Sequence, residues 1–404
     1  MEISLKRKLF YVFPVLFCFC FPLGFKVLSP ILMAWLLVSF FNWDLVQIRQ
    51  GLFNRNLLLL LLFFLFTLIS AFLSENHNEA NAAIEIKLSF LLFPYLMFCF
   101  HWPAQILKRC LVSFVSGCFF ASLYLIARAS FFAYQGHPEY FTYTYFSDFI
   151  HASYFAMYLV LAIGIIINYY KHWFHTNRQI MISSYVFTSV FVTSIFLCAS
   201  KMGLITLCLC LPLLLYLKYR SALSVKRSLI FLGIGALVLL LSLRFIPAVY
   251  ERFRNINTIS VENLDKTSVE SNTSRLLVWE QSLHIMKENF WFGVGAGDAN
   301  DALYTAYEQN GISGALEHKL NAHNQYFQTF IGMGVFGFSM LLLLTLFQFL
   351  KGIRRDKRML AYFSLLIILN FLVESMLQAV AGAVFFSFFF CLFNLIDEKP
   401  FQSA

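Results

Sequence analysis

The sequence predicts an all-α, polytopic membrane protein of about twelve spans, within a range of ten to twelve, carrying one large helical loop on its outer side. Three observations predict it. The chain of 404 residues is 60% hydrophobic and only 13% charged, with 50 Phe, far from the composition of soluble domains. Apolar runs close to the roughly 20 residues of a bilayer-spanning helix recur along its length. The basic residues alternate between loops: with the N-terminus placed inside, 19 of the 30 Lys and Arg fall on inward segments, the bias that orients helices in membranes.

Taken in order, spans are expected over 9–25, 27–42, 57–73, 86–102, 110–133, 149–170, 180–199, 203–217, 228–246, 326–350, 359–377 and 380–396. The first follows Lys6, Arg7 and Lys8 in the manner of a signal peptide. It has no small-x-small cleavage site and further spans follow at once, so it reads as an uncleaved first helix. An even number of spans places both termini in the cytoplasm. Three regions result: N-terminal transmembrane helices over 1–246, a long outer loop over 247–325, and C-terminal transmembrane helices with a cytoplasmic tail over 326–404.

The net charge of +9 is accounted for by this topology, so no nucleic-acid partner is expected. The nine Cys all lie in or beside apolar runs and read as small apolar filler rather than a disulfide framework. No Cys/His spacing suits a metal.

The long loop is too long to be a simple connector. Asn272-Thr273-Ser274 offers helix caps. Leu276, Trp279, Leu283, Met286 and Phe290 then recur at three- and four-residue spacing, which predicts an amphipathic helix. It ends in a tight turn at Gly293, Gly295 and Gly297; these lack the strand and the Lys-Ser/Thr ending of a phosphate loop. A second helix is expected over 298–309. The loop is therefore a small helical cap on the outer membrane face. It holds six Lys/Arg against ten Asp/Glu, so any anion site in it must come from particular placement. Asp298 and Asp301 are three apart and do not form an Asp-x-Asp metal motif; no catalytic metal and no cofactor are expected.

A site on the outer face has no access to nucleotides, so a transferase there must use a lipid-linked donor whose leaving group is an anion. Arg and Lys stabilise such a group. Arg275 opens the amphipathic helix, where first-turn N–H groups also favour anions; the alternative is a solvated surface Arg. Lys201, in a tight turn between two spans, either binds an anion or snorkels. Arg244, Arg252 and Arg254 leave the ninth span together, either to contact lipid phosphates or to anchor at the interface. His323 stands where the long loop re-enters the membrane. It can accept a proton from an attacking hydroxyl, donate to pyrophosphate, or simply cap the tenth span. Asn324 either orients its neighbours or caps a helix. Glu374, at the outer end of an apolar span, calls for a partner such as Lys201, or binds an acceptor sugar. Arg128, near the outer end of the fifth span, is a similar polar outlier.

Together these residues resemble the O-antigen ligase and polymerase superfamily of bacterial membrane glycosyltransferases. The resemblance rests on Ser200-Lys201-Met202-Gly203, on Ser274-Arg275 with Trp279 and Phe290-Trp291-Phe292-Gly293-Val294-Gly295, on His323-Asn324 with Gly332, Gly334 and Gly337, and on Glu374-Ser375 with Leu377 and Gly382-Ala383. It covers about 200–385; the N-terminal half matches in hydropathy only. It implies a GT-C-like membrane enzyme at the periplasmic face of the inner membrane. Such an enzyme moves a glycan from undecaprenyl pyrophosphate, without metal and with inversion, to a lipid A-core acceptor. On this resemblance Arg275 and Lys201 stabilise the pyrophosphate and His323 activates the acceptor or supports the leaving group. Asn324, Glu374, Arg252 and Arg254 are expected to bind substrate. Lys201 departs from the Arg usual in the family and loses its bidentate fork. A polymerase using the same donor is the close alternative. A transporter of polysaccharide or lipid-linked glycan is the alternative of another class; it calls for inverted repeats and midplane charges, whereas the polar outliers here gather at outer ends.

Overall fold

The computed structural model describes residues 5–173, 178–219, 233, 265–269 and 272–397. Among these residues all regular structure is helical. The first eleven α-helices are α1 (Leu5–Cys20), α2 (Phe25–Phe40), α3 (Leu45–Leu52), α4 (Arg55–Phe72), α5 (His77–Lys87), α6 (Ser89–Phe98), α7 (Ala104–Tyr134), α8 (Tyr143–Phe146), α9 (Ala152–Trp173), α10 (Arg178–Leu197) and α11 (Lys201–Tyr219). Then come α12 (Asn272–Glu288), α13 (Ala299–Gln309), α14 (Ser313–Glu317), α15 (Gln325–Leu344), α16 (Leu346–Arg354), α17 (Arg358–Phe371) and α18 (Val380–Leu395).

Among the described residues, six helical runs are long and apolar enough to cross a membrane: Arg55–Phe72, His77–Phe98, Ala104–Tyr134, Ala152–Tyr169, Lys201–Tyr219 and Gln325–Arg354. Four shorter apolar helices accompany them, at Phe25–Phe40, Met181–Leu197, Arg358–Phe371 and Val380–Leu395. The span expected over 228–246 lies outside the described residues. The expected 86–102 span begins earlier, at His77, because Asn76 caps α5 by accepting from the Glu79 N–H and the apolar run simply continues from it.

α18 is the axis of the bundle. Phe385, Phe386, Phe388, Phe389, Phe390 and Phe393 are all buried. Their rings meet Phe114 of α7, Tyr158 of α9, Phe17 of α1, Phe93 of α6 and Phe363 of α17. Lipid offers such a helix no hydrophobic driving force to associate, so close packing and ring geometry hold it.

A second, smaller core lies at one end of the bundle. Leu277 and Val278 of α12, Leu303 and Tyr307 of α13, Ala315 of α14, Ala322 and Ile331 build it. The amphipathic helix expected after Asn272 is present, but of its apolar stripe only Trp279 and Met286 pack against this core. Ser274, Leu277, Val278, Gln281, Ser282 and Ile285 are buried, whereas Leu276, Leu283 and Phe290 are exposed. Polar side chains can line this core because they are satisfied: Ser282 donates to Val278 O at 2.7 Å, and Gln281 Oε1 accepts from Asn310 Nδ2 at 2.9 Å.

The two cores are joined through backbone. Gly334 breaks α15, at φ 59° and ψ −162°. The turn after α12 fills the break: Val294 N–H donates to Ile331 O (2.8 Å), Gly295 N–H to Gly332 O (3.1 Å), and Val335 N–H donates back to Phe290 O (2.9 Å). Ser70 of α4 adds a hydroxyl donor to Gly332 O at 2.6 Å. Asp298 completes the joint by accepting from the N–H groups of Glu75 and Asn76 at 2.9 and 2.8 Å, and Asp301 accepts from Asn76 Nδ2 at 2.7 Å. The three-residue spacing of these carboxylates therefore serves a clamp between chain segments.

A Cβ at Gly334 would overlap Trp291 O, whereas one at Gly311, also at positive φ, meets nothing within 4 Å. Gly311→Ala should therefore cost only the left-handed penalty, about 1–2 kcal/mol. Gly334→Ala should lower the unfolding temperature of the detergent-purified protein distinctly more. Equal losses would show that the backbone joint is not what requires Gly334.

Candidate active site

Four separate elements converge on one cavity of about 140 Å³. Lys201 and Arg275, His323 and Glu374 line it, with Ser200, Met202, Ser274, Tyr143, His151 and Ser153. They are far apart in the chain, and each reaches the cavity because a helix begins or ends there.

Lys201 is the first residue of α11. Ser200 caps that helix, its Oγ accepting from Gly203 N–H at 3.1 Å, and Ala199 before it has φ 44°. Arg275 stands in the first turn of α12. Its guanidinium makes no hydrogen bond among the described residues and so presents its donors to the cavity.

His323 is the most constrained residue of the site. Its φ is 43°, a conformation that costs a non-glycine residue energy and persists only where the surroundings impose it. Here they do. Ala322 O accepts from Trp279 Nε1 at 3.0 Å and Ala322 N–H donates to Gln328 Oε1 at 2.9 Å. His323 N–H donates to Asn321 Oδ1 at 2.9 Å. Asn324 is buried and caps α15, its Oδ1 accepting from Tyr326 and Phe327 N–H at 2.9 and 3.2 Å. Of its two readings from sequence, the structure places Asn324 in the cap; it fixes the helix start beside the cavity.

Glu374 lies beyond the end of α17, in the turn before α18, rather than within a span. Its N–H donates to Asn370 O at 3.0 Å. The turn is also held from α15, where buried Gln325 accepts from Leu377 N–H at 2.6 Å. Glu374 Oε1 is 3.8 Å from Arg275 Nη2 and Oε2 is 3.8 Å from His323 Nδ1. Both are ion-pair distances, beyond hydrogen bonding. His323 Nδ1 itself is buried and has no hydrogen-bond partner among the described residues.

Burial tends to raise the Glu374 carboxyl, but the approach and charge of His323, with the charges of Arg275 and His151, outweigh it and hold the carboxyl below its ordinary value. Lys201 and Arg275 against Glu374 leave the cavity with a charge of +1, or +3 with both imidazoles protonated.

The segment between α7 and α9 brings residues not singled out from the sequence. His151 Nε2 lies 3.5 Å from the Tyr143 hydroxyl, and Tyr143 itself has φ 50°. Arg128 shapes this segment: it donates to Tyr145 O at 3.0 Å, pairs with Asp148 at 3.3 Å and stacks on Tyr140 and Phe132. The polar outlier of the fifth span is thus a support for the wall of the cavity. Arg244, Arg252 and Arg254 lie outside the described residues. No group of three or more His, Cys, Asp or Glu is arranged to hold a metal among the described residues.

A depressed carboxyl contributes stability that is full above its ordinary value and is lost as pH falls through the depressed one. The unfolding temperature of the wild type should therefore drop on acidification through the carboxylate range more steeply than that of Glu374→Gln. Parallel pH profiles would show that Glu374 is not held ionised by this cluster.

A search of curated proteins gives no match. The family model described as O-antigen ligase matches residues 185–342. The matched segment contains Lys201, Arg275 and His323, while Glu374 and the His151 segment lie outside it. Over this segment, less than half of the chain, the protein is similar to the O-antigen ligase family.

Proposed function

We propose that this protein is an O-antigen ligase-type glycosyltransferase of the bacterial inner membrane, in a GT-C-like scaffold of about twelve spans with both termini cytoplasmic. It moves a glycan from undecaprenyl pyrophosphate to a lipid A-core acceptor at the periplasmic face. The observation that carries this reading is the convergence of Lys201, Arg275, His323 and Glu374 on one small, net-positive cavity. The family match supports ligase- or polymerase-type activity.

The chemistry follows from the groups present. The acceptor hydroxyl attacks the anomeric carbon of the donor sugar as the bond from that carbon to the pyrophosphate oxygen breaks. The electron pair leaves with the pyrophosphate, whose charge Arg275 and Lys201 stabilise. The hydroxyl proton passes to His323. Glu374, 3.8 Å from Nδ1, stabilises the imidazolium that results, as a carboxylate does beside a general base. Displacement from the opposite face inverts the anomeric carbon. No step calls for a metal. Arg252 and Arg254, which lie outside the described residues, are assigned to donor binding from the sequence alone.

His323→Ala should insert normally and lose at least about a hundredfold in transfer with purified lipid-linked donor, the low end for general acid–base catalysis. A wild-type rate would sink the base assignment. Arg275→Ala should lose about a hundred- to a thousandfold by removing leaving-group stabilisation, and unchanged transfer would take Arg275 out of the site.

The acceptor is decided by the glycolipids of a deletion strain. Loss of a ligase leaves long lipid-linked polymer unattached. Single repeats attached to core would instead identify the polymerase, which uses the same donor.

A further inference from the structure

The end of the bundle remote from the polar cavity carries a second site. The helical run Gln325–Arg354 starts beside His323 and covers 30 residues, about 45 Å at 1.5 Å per residue, more than the roughly 30 Å of a bilayer core. Its far end, with the start of α4, encloses a cleft of about 840 Å³. Arg55, Arg354 and Arg355 form the rim; Leu62, Phe347 and Leu350 form the wall below. All six side chains are exposed.

The neighbouring Lys351 is fully employed, donating to Asn56 Oδ1 at 2.8 Å, Asn394 Oδ1 at 2.7 Å and Gln348 Oε1 at 3.2 Å. The three arginines differ. None of them makes a hydrogen bond or an ion pair among the described residues. Arg354 and Arg355 at the C-terminus of α16 suit its dipole, but Arg55 sits in the first turn of α4, the end where a cation is disfavoured. Topological bias accounts for cations on this face. It does not account for three unpaired guanidiniums gathered over one cavity with an apolar wall.

We propose that this cleft binds an anionic phospholipid, with the phosphate headgroup on Arg55, Arg354 and Arg355 and an acyl chain along Leu62, Phe347 and Leu350. Guanidinium forks match phosphate oxygens, and basic pockets between membrane helices suit two-phosphate headgroups well. The site stands independently of the transfer reaction.

The test uses the purified full chain in detergent, with lipid binding read by native mass spectrometry and by thermal shift. Diphosphatidylglycerol should bind and raise the unfolding temperature; phosphatidylcholine should not. At roughly a fivefold contribution per cation near a lipid headgroup, Arg354→Gln should weaken binding about fivefold. The triple change Arg55→Gln, Arg354→Gln, Arg355→Gln should weaken it about a hundredfold. Arg49→Gln, exposed in α3 next to this end of α4 and outside the cleft, should leave it unchanged, as a control for general charge. Equal binding of phosphatidylcholine would overturn the proposal. So would an equal effect of Arg49→Gln, or an equal stabilisation by inorganic phosphate alone, which would mean an anion site without a lipid chain. The single variant keeps the test informative if the triple variant does not fold.

Discussion

The break in α15 at Gly334 is the constraint on which the smaller core and the cavity beside it depend. Inside a membrane, backbone N–H and C=O groups have no water to turn to, so a helix can open only where other protein groups replace its lost bonds. The turn after α12 supplies those groups, and the exchange of bonds between 290–295 and 331–335 ties the helices of the smaller core to the bundle. Glycine is required on both strands of this joint because a side chain would separate them. The joint also sets where α12 and α15 lie, and hence where Arg275 and His323 stand. Cation and imidazole thus rest on one rigid connection, although 48 positions separate them in the chain.

The electrostatics of the cavity follow from what faces what. Glu374 stands between a guanidinium and an imidazole without hydrogen-bonding to either. Such a carboxylate offsets the guanidinium charge while leaving the donors of Arg275 open. The guanidinium N–H groups therefore face the cavity rather than closing a hydrogen-bonded pair. Backbone strain marks the same place: Tyr143, Ala199 and His323, all at positive φ, border or line the cavity, and strain of this kind gathers where geometry must be held for chemistry.

The membrane class, the helix after Asn272 and four of the residues that line the cavity are legible in the sequence. Lys201, Arg275, His323 and Glu374 stood out as charged or titratable groups at the ends of apolar runs, where burial is costly without a purpose. Tyr143 and His151 did not stand out. Their loop has no periodicity, and its one signal was Arg128, whose role is to brace that loop. The buried face of α12 is wider than its apolar stripe suggests because Ser274, Gln281 and Ser282 carry no apolar signal, yet hydrogen bonds let Gln281 and Ser282 sit in the small core. Periodicity reports where apolar side chains recur, and a membrane-side helix can turn such a stripe outward.

Local chemistry alone determined which segments are helical, where they begin at Asn272 or Asn324, and which polar residues the apolar chain cannot bury freely. Those properties depend on neighbours within a turn or two, and sequence carries them directly. Only the tertiary structure decided that Glu374 faces Arg275 and His323 rather than Lys201 alone, that Asn324 serves α15 as a cap, and that Asp298 clamps the turn after α4. These pairings join residues tens to hundreds of positions apart. They are set by how helices cross and where α15 breaks, and no local pattern encodes those.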